Sequence, residues 1–266
     1  LISLPWKKLD EDCFDEVVIG EDAFAFANKH QRFYERMSAR FPKEREGLKK
    51  YVDFLKQVGD HIFDSFSLQN EGTFTNSLFA RSAYEFLNET IKDPLLRKVL
   101  SGTSLKMELN APTLPLYTFA QINDSFIRSA WRLRGGGMQI ADKLVGGIEA
   151  MGGEVKTRAI VTYIKEEDGK VVGVTVNDED CLEADWVISS THPAYTVSLV
   201  GESKKMRRIY RDRIANLDNT FGMFTANIRL KPGMLPYQNK NIFVHCADAD
   251  LWKVNTLNTE SVLVNY

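Results

Sequence analysis

The sequence has few of the residues that build metal sites or disulfide frameworks. Its 266 residues include only four histidines and three cysteines, Cys13, Cys181 and Cys246, and neither a CxxC nor an HxxxH spacing occurs. An odd number of widely separated cysteines argues against a disulfide framework and fits a reducing compartment. A zinc site is likewise not expected, because its ligands recur at short, defined spacings.

The sequence also has no large excess of positive or negative charge and no long run of apolar residues. The 34 lysines and arginines nearly balance the 36 acidic residues, giving a formal net charge of −2, so no basic footprint for nucleic acid is present. No apolar run approaches the roughly 20 residues that span a bilayer, and no signal-peptide pattern opens the chain. The expected location is therefore the cytoplasm, with peripheral membrane contact left open.

Three glycine-containing motifs of nucleotide and hydrolase chemistry are missing as well. Gly135-x-Gly137 is followed by Ile140 where the third glycine of Gly-x-Gly-x-x-Gly would stand, and a predicted helix precedes it, whereas the motif requires a strand. Neither Gly-x-Ser-x-Gly nor Gly-x-x-x-x-Gly-Lys-Ser occurs. The glycines at 135–137 therefore predict a turn and the start of a helix.

The first half of the chain is predicted to be mostly helical. A hairpin signal covers residues 14–23, and helical patterns cover residues 23–39, 43–63, 78–91, 94–100 and 116–131. Thirteen of the sixteen phenylalanines precede residue 130. Because aromatic side chains at helical spacing mostly pack inside, this half is expected to have an aromatic core.

The middle of the chain changes its period from helix to strand. An amphipathic helix is predicted over residues 138–151 and ends at Gly152-Gly153. Strands follow at residues 159–164, 171–176 and 181–182, separated by polar turns. The apolar run 186–188 shows no alternation, which favours a strand covered on both faces.

An elbow of small polar residues follows that run. Ser189, Ser190 and Thr191 would let a ligand approach the backbone, Pro193 suits the first turn of a helix over residues 193–199, and a helix N-terminus favours phosphate. The structural alternative is a strand end that Thr191 caps into a short surface helix. His192 could serve as a base, but a capping or exposed histidine is the commoner case.

The last part of the chain combines a basic helix with strands. Residues 203–217 predict a helix whose basic face is either solvated or directed at an anionic membrane or partner. Residues 221–230, 241–246 and 262–266 predict strands.

These segments resemble the middle of carotenoid desaturase and retinol saturase-type flavoproteins of the amine-oxidase-like FAD superfamily. The resemblance follows the same order along the chain in Arg134-Gly135-Gly136-Gly137, the next helix, Gly152-Gly153-Glu154-Val155, Val161-Thr162-Tyr163-Ile164, the hairpin from Asp168 to Val174, and Ala184 to Pro193. Phe41-Pro42-Lys43-Glu44 and Asn241-Ile242-Phe243 fit family phrases on either side.

The resemblance implies FAD as the cofactor and names the residues near it. The backbone of Val161 would contact the adenine side of FAD, and Ile188, Ser189, Ser190 and Thr191 would pass close to the dinucleotide. The implied fold is α+β. Residues 1–134 would be a helical lobe of a substrate domain, residues 135–193 the helix, β-meander and strand of a Rossmann-like FAD-binding domain, and residues 194–266 a return to an antiparallel substrate-domain sheet.

The implied activity is that of a FAD-dependent oxidoreductase acting on carbon-carbon bonds of an apolar, polyene or isoprenoid-like substrate. The sequence offers no catalytic constellation of side chains, which fits chemistry carried by a flavin. Phe119 and Phe126 would then be candidates for a substrate tunnel, with the core as the alternative. Two other functions stay open: an amine-oxidase-type flavoenzyme, and a redox-inactive prenyl- or lipid-binding escort protein on the same scaffold.

The resemblance covers the interior of such an enzyme. Its relatives begin with a glycine-rich phosphate-binding turn and end with a second FAD segment, and neither is visible here. Because residue 1 is leucine, we expect a processed chain or a fragment. The isolated chain is expected to be colourless and inactive, whereas its parent would be yellow.

Overall fold

The computed structural model describes residues 3–62, 73–203, 205–220, 222–253 and 259–265. These residues form a mixture of helices and sheets, which confirms the predicted α+β class. The chain divides into two compact units. The smaller unit comprises residues 138–222, and the larger one comprises residues 3–137 with the described residues from 223 onward.

The described helices, in chain order, are α1 His30–Arg40, α2 Arg45–Asp60, α3 Thr73–Phe79, α4 Ala83–Thr90, α5 Pro94–Ser101, α6 Leu116–Arg128, α7 Met138–Ala150, α8 Pro193–Leu199 and α9 Arg208–Ala215. The described strands are β1 Trp6–Lys8, β2 Asp15–Ile19, β3 Asp22–Phe26, β4 Trp131–Leu133, β5 Val161–Glu167, β6 Lys170–Val176, β7 Asp180–Glu183, β8 Asn241–His245 and β9 Ser261–Asn265. Among these residues no helix combines the length and the apolar character needed to cross a membrane.

Local sequence signals account for most of these helices. In α2 the apolar stripe is buried in full, at Leu48, Tyr51, Val52, Leu55 and Val58. At the start of α5, Asp93 accepts hydrogen bonds from the amides of Leu95 and Leu96, and Pro94 occupies the first turn. An aspartate cap followed by proline is a strong helix start, because the carboxylate accepts from free N–H groups of the first turn and proline has no N–H group that needs a partner.

The larger unit contains a four-stranded sheet in the order β3-β2-β8-β9. β2 and β3 form an antiparallel hairpin, and β8 and β9 are antiparallel. However, β2 and β8 are parallel, from the pair Asp15–Asn241 to the pair Ile19–His245. The predicted antiparallel sheet is therefore wrong at its centre. The strand patterns could not reveal this, because β2 and β8 pair across more than 200 residues of chain.

Several predicted elements in this unit differ from the structure. The helix expected over residues 78–91 is interrupted at residues 80–82, between α3 and α4. The helix expected over residues 23–39 begins only at His30, because Asp22–Phe26 pairs with β2 as a strand. The strand expected over residues 221–230 is absent from residues 222–230, which belong to no sheet and expose Phe224 and Ile228. Alternating apolar residues make a strand only where a neighbouring strand pairs with it. Residue 221, and the predicted helix beyond residue 62, lie outside the described residues.

The core of the larger unit combines aromatic and aliphatic residues, so the expected aromatic side chains are present but do not form it alone. Phe14, Phe33 and Phe243 are almost completely buried in one continuous apolar cluster. Phe119, a candidate for a tunnel wall, is 1% exposed and belongs to this cluster. Phe126 is half-buried and packs against it.

The carboxylate of Asp124 ties three helices together. One oxygen lies 2.6 Å from Nε2 of His30 on α1, and the other accepts a hydrogen bond from Arg128. Arg128 also donates a hydrogen bond to Asp60 at the end of α2 at 2.7 Å. Hydrogen bonds from Lys56 and, second, from Arg128 lower the pKa of Asp60 to about 2. Gly59 is required at this contact, because an added Cβ would lie 1.8 Å from Asp124 Oδ2.

A second buried carboxylate, that of Asp15, joins the sheet to the helices. Its side chain is fully buried and forms an ion pair with Lys106, and Asn241 donates to its other oxygen at 2.8 Å. The Lys106 ammonium also lies 3.5 Å from the centre of the Phe126 ring. Burial lowers the pKa of Lys106, and the attraction of Asp15 offsets only part of that effect.

We expect Asp15→Ala to destabilise the larger unit by about 3–5 kcal/mol, because it leaves the buried Lys106 ammonium without its counter-charge. The matched control is Asp53→Ala, which breaks an exposed pair with Lys49 on α2 and should cost less than about 1 kcal/mol. Urea unfolding followed by circular dichroism measures both. Equal midpoints for the two variants would contradict the role assigned to Asp15.

Candidate functional site

The smaller unit contains α7, an antiparallel meander in the order β5-β6-β7, and the helices α8 and α9. The turn between β5 and β6 is the predicted one, with Asp168 and Gly169 both at positive φ. Short polar residues and glycine accept this conformation at low cost, and it reverses the chain tightly. The predicted meander and the predicted helices at residues 138–151 and 193–199 are thus present, with small shifts at their ends.

The five residues predicted to approach FAD lie around one groove of about 340 Å³. Val161 comes from the start of β5, whereas Ile188, Ser189, Ser190 and Thr191 come from the segment that leads into α8. The complete lining is Ala159, Ile160, Val161, Ile164, Val187, Ile188, Ser189, Ser190, Thr191, Tyr195 and Leu199. The structure therefore brings together the five predicted residues, which are separated by up to 30 positions in the sequence.

The floor of the groove is apolar and fixed by α8. Ile164 and Leu199 are buried, and an isolated parallel bridge joins Ile164 to Val200. Tyr195, on the first turn of α8, directs its hydroxyl to the Val161 carbonyl oxygen at 3.4 Å. The sequence did not single out Tyr195, although its position two residues after Pro193 places it on the turn beside the elbow.

One wall of the groove is an uncovered apolar segment. Residues 186–188 were predicted to form a strand covered on both faces, but they belong to no sheet, and Trp186 and Ile188 are 88% and 97% exposed. The prediction is wrong because a buried strand needs neighbours on both edges, and no described residue pairs with this segment. Ile188 consequently presents its side chain to whatever occupies the groove.

Two hydroxyl groups of the groove, those of Ser189 and Thr191, form a cluster with the hydroxyl of Thr196. Ser189 Oγ lies 3.0 Å from Thr191 Oγ1 and 2.7 Å from Thr196 Oγ1, and the two threonine oxygens are 2.9 Å apart. Each hydroxyl can donate one hydrogen bond and accept others, and its hydrogen can rotate. The cluster can therefore exchange an internal hydrogen bond for one to a polar ligand atom.

His192 acts as the cap of α8, a role the sequence analysis had suggested for Thr191. Its Nδ1 accepts a hydrogen bond from the Ala194 amide at 3.2 Å, and its Nε2 lies 2.7 Å from Asn219 Oδ1. This pairing requires the tautomer with the proton on Nε2, because Asn219 Oδ1 can only accept. His192 does not line the groove, so the capping interpretation is the one that fits.

Arg211 supports the groove from the side of α9. Its guanidinium donates to the carbonyl oxygens of Val197 at 3.2 Å and Val200 at 2.8 Å, and also to that of Gly201. The helix predicted over residues 203–217 is shorter, Arg208–Ala215. Residue 204 lies outside the described residues. The basic residues of this helix were predicted to face solvent or an anionic surface. Arg211 differs, because its guanidinium group binds backbone carbonyl groups of the same unit.

The fold resembles that of an oxidoreductase from Methanosarcina mazei. That crystal structure aligns with a TM-score of 0.53 at 20% identity, over 80% of this chain and 48% of the other. Residues 10–219, most of the chain and all five predicted groove residues, match the family described as "Flavin containing amine oxidoreductase". The chain belongs to this family.

Two curated relatives are all-trans-retinol 13,14-reductases. The protein from Danio rerio is 28% identical over 197 residues, which cover 65% of this chain and 32% of that protein. The protein from Rattus norvegicus is 25% identical over 174 residues, covering 59% of this chain and 29% of that protein. The matched part of the chain thus spans about a third of the length of these relatives.

We expect Arg211→Met to destabilise the smaller unit by on the order of 2–3 kcal/mol, because three carbonyl groups at the end of α8 and just after it lose a charged hydrogen-bond donor. Arg208→Met is the matched control, since the Arg208 side chain is 93% exposed. Hydrogen exchange of the backbone amides in α8 measures the local effect. The assignment fails if both variants exchange at the same rate as the unsubstituted chain.

Proposed function

We propose that this chain is part of a FAD-dependent oxidoreductase and that the groove at the elbow holds part of the FAD molecule. The observation that carries this proposal is the convergence of Val161 with Ile188, Ser189, Ser190 and Thr191 on one groove. The family resemblance that points to these residues depends on sequence alone and contains no information on their proximity in space. Membership of a flavin-containing family supports the choice of cofactor.

The residues of the groove fit the adenosine end of FAD in chemistry. The apolar floor and Ile188 offer a surface for a planar base, and the hydroxyls of Ser189 and Thr191 are suited to ribose or phosphate oxygens. A groove of about 340 Å³ can hold only part of a dinucleotide. Assignment of residues 135–193 to a Rossmann-like FAD-binding domain belongs to the same proposal.

The proposed boundaries of the domains need one adjustment. Residues 194–222, expected in a substrate domain, cluster with the meander in the smaller unit. The proposed substrate domain therefore corresponds to the larger unit, with its aromatic core. The proposed cofactor domain corresponds to the smaller unit.

We propose an apolar polyene or isoprenoid as the substrate of the whole protein. The names of the two curated relatives, all-trans-retinol 13,14-reductases, support a retinoid-like molecule. When bound, the flavin would supply the hydride chemistry of saturation or desaturation, while the protein binds and orients the substrate and excludes water. Amine oxidation is the second candidate, favoured by the name of the matching family.

The test starts from the longest natural form of the protein. We expect its visible absorbance spectrum to show a flavin band, and acid treatment to release FAD. Ile188→Asp should weaken FAD binding about tenfold or more, because it places a negative charge on the apolar wall beside an anionic dinucleotide. The side chain of Ile188 is 97% exposed, so this substitution should leave the fold intact.

Ile209→Asp is the matched control, since Ile209 is 77% exposed on α9 and does not line the groove. FAD titration followed by flavin fluorescence compares the two variants. Equal affinities would remove the groove from the cofactor site while leaving the flavoprotein assignment untouched. Absence of flavin, followed by failed reconstitution with FAD, would overturn the oxidoreductase proposal and favour an escort-type binding protein.

A further inference from the structure

A second and larger cavity lies entirely within the larger unit. Its volume is about 740 Å³, within the range of small-molecule sites. It lies beside the two-stranded ribbon of β1 and β4, which is antiparallel with Trp6 opposite Leu133. The lining is Lys7, Arg132, Leu133, Arg134, Gly135, Gly136, Gly137, Tyr237 and Asn265.

The charged residues that line this cavity, among those the structure describes, are all basic. Lys7, Arg132 and Arg134 contribute three cations. Within the described part of the chain, no aspartate or glutamate lines the cavity. The guanidinium group of Arg132 is positioned by a hydrogen bond that it donates to Asn241 Oδ1 at 2.8 Å. Three like charges at one cavity raise its positive potential and favour a negatively charged ligand.

The pKa of Tyr237, another residue that lines the cavity, is sensitive to this positive potential. The Lys7 ammonium lies 3.9 Å from the centre of its ring, and its hydroxyl donates to Asn239 Oδ1 at 3.1 Å. Asn239 in turn donates to the Lys8 carbonyl at 3.0 Å, which fixes the segment against β1. Burial by itself would raise the pKa of Tyr237, but Lys7 and Arg132 outweigh it and lower the pKa.

The three glycines leave the backbone accessible at the edge of the cavity. Gly135 and Gly136 have φ values of 82° and 90°. A Cβ atom added at Gly136 or Gly137 would meet no heavy atom of the described residues within 4 Å. A ligand can therefore approach the main chain here without a side chain in its way.

We propose that this cavity binds an oxyanion, a phosphate or carboxylate group, carried by an organic ligand. Arginine guanidinium groups bind such groups through two parallel hydrogen bonds, and lysine adds a point charge. The cavity is much larger than one phosphate, which leaves room for the rest of the molecule. Lys7, Tyr237 and Asn265 lie outside the family match of residues 10–219, whereas the other six lining residues lie within it.

This proposal is independent of the proposed function, since the groove at the elbow belongs to the smaller unit. The oxyanion has two plausible sources, a nucleotide and an acidic end group on an apolar ligand. The probes are therefore inorganic pyrophosphate, adenosine diphosphate with adenosine as its neutral partner, and a polyene carboxylic acid with the corresponding alcohol. Isothermal titration calorimetry with the 266-residue chain measures each affinity.

We expect at least one of the anionic probes to bind and its neutral partner to bind more weakly. Lys7→Gln and Arg134→Gln should each weaken that binding about tenfold, the loss of one charged hydrogen bond. The matched control is Lys50→Gln, which removes the same charge from an exposed position on α2 and should leave the affinity unchanged. Competition between adenosine diphosphate and the polyene acid identifies the source of the anion.

The ionisation of Tyr237 gives a second readout. A bound anion engages the cations that lower its pKa, so saturating ligand should move its titration to higher pH, followed by the ultraviolet absorbance of tyrosinate. Tyr237→Phe identifies the signal. If Lys7→Gln fails to fold, Arg134→Gln carries the test, since Arg134 is exposed.

Two results would overturn the proposal. One is the absence of binding by all three anionic probes at millimolar concentration. The other is binding that is equally strong in Lys7→Gln, Arg134→Gln and Lys50→Gln, which would show attraction by overall charge and not by this cavity.

Discussion

The larger unit depends on the burial of one carboxylate. Asp15 lies at the start of β2, and its two oxygens take their partners from distant parts of the chain, Lys106 after α5 and Asn241 at the start of β8. A charge inside an apolar core is tolerated only when it is paired and hydrogen-bonded. The core around Phe14, Phe126 and Phe243, whose rings surround Lys106, can therefore close only when all three segments are in register. Asn241 also accepts a hydrogen bond from Arg132. The buried carboxylate of Asp15 is therefore linked through Asn241 to the cavity that Lys7, Arg132 and Arg134 line.

The two units use apolar surface in different ways. The larger one buries most of its described phenylalanines in a continuous cluster, so its fold is stabilised by its own core. In the smaller one, α7 has no buried residue, and its predicted stripe leaves Ile140, Leu144 and Ile148 exposed. The groove wall at Ile188 is exposed in the same way. Large uncovered apolar surface usually marks a site of interaction, which agrees with a smaller unit that meets a cofactor or other polypeptide.

Much of the fold could be predicted from local sequence, because caps, turns and apolar periodicity act over a few residues. The stripe of α2, the Asp93-Pro94 start of α5 and the Asp168-Gly169 turn are of this kind. Features that depend on distant partners could not be predicted. The apolar run 186–188 reads as a strand, but pairing decides that outcome, and the parallel alignment of β2 with β8 leaves no local signal. For the groove, resemblance supplied five residues, whereas Tyr195 and Arg211 became visible only when α8 and α9 were in place.

The parallel pairing of β2 with β8 has a consequence for biosynthesis. Asp15 and Asn241 are 226 residues apart, so on a ribosome that adds about 5–20 residues per second the first strand waits roughly 10–45 s for its neighbour. The whole of residues 138–222 leaves the exit tunnel during that interval and can become compact first. Meanwhile β2 has a free edge towards the missing strand, and a free edge of this kind can pair with another nascent chain. Protein yield in a cell should therefore depend on chaperones that shield the hairpin of β2 and β3 until translation has passed residue 245.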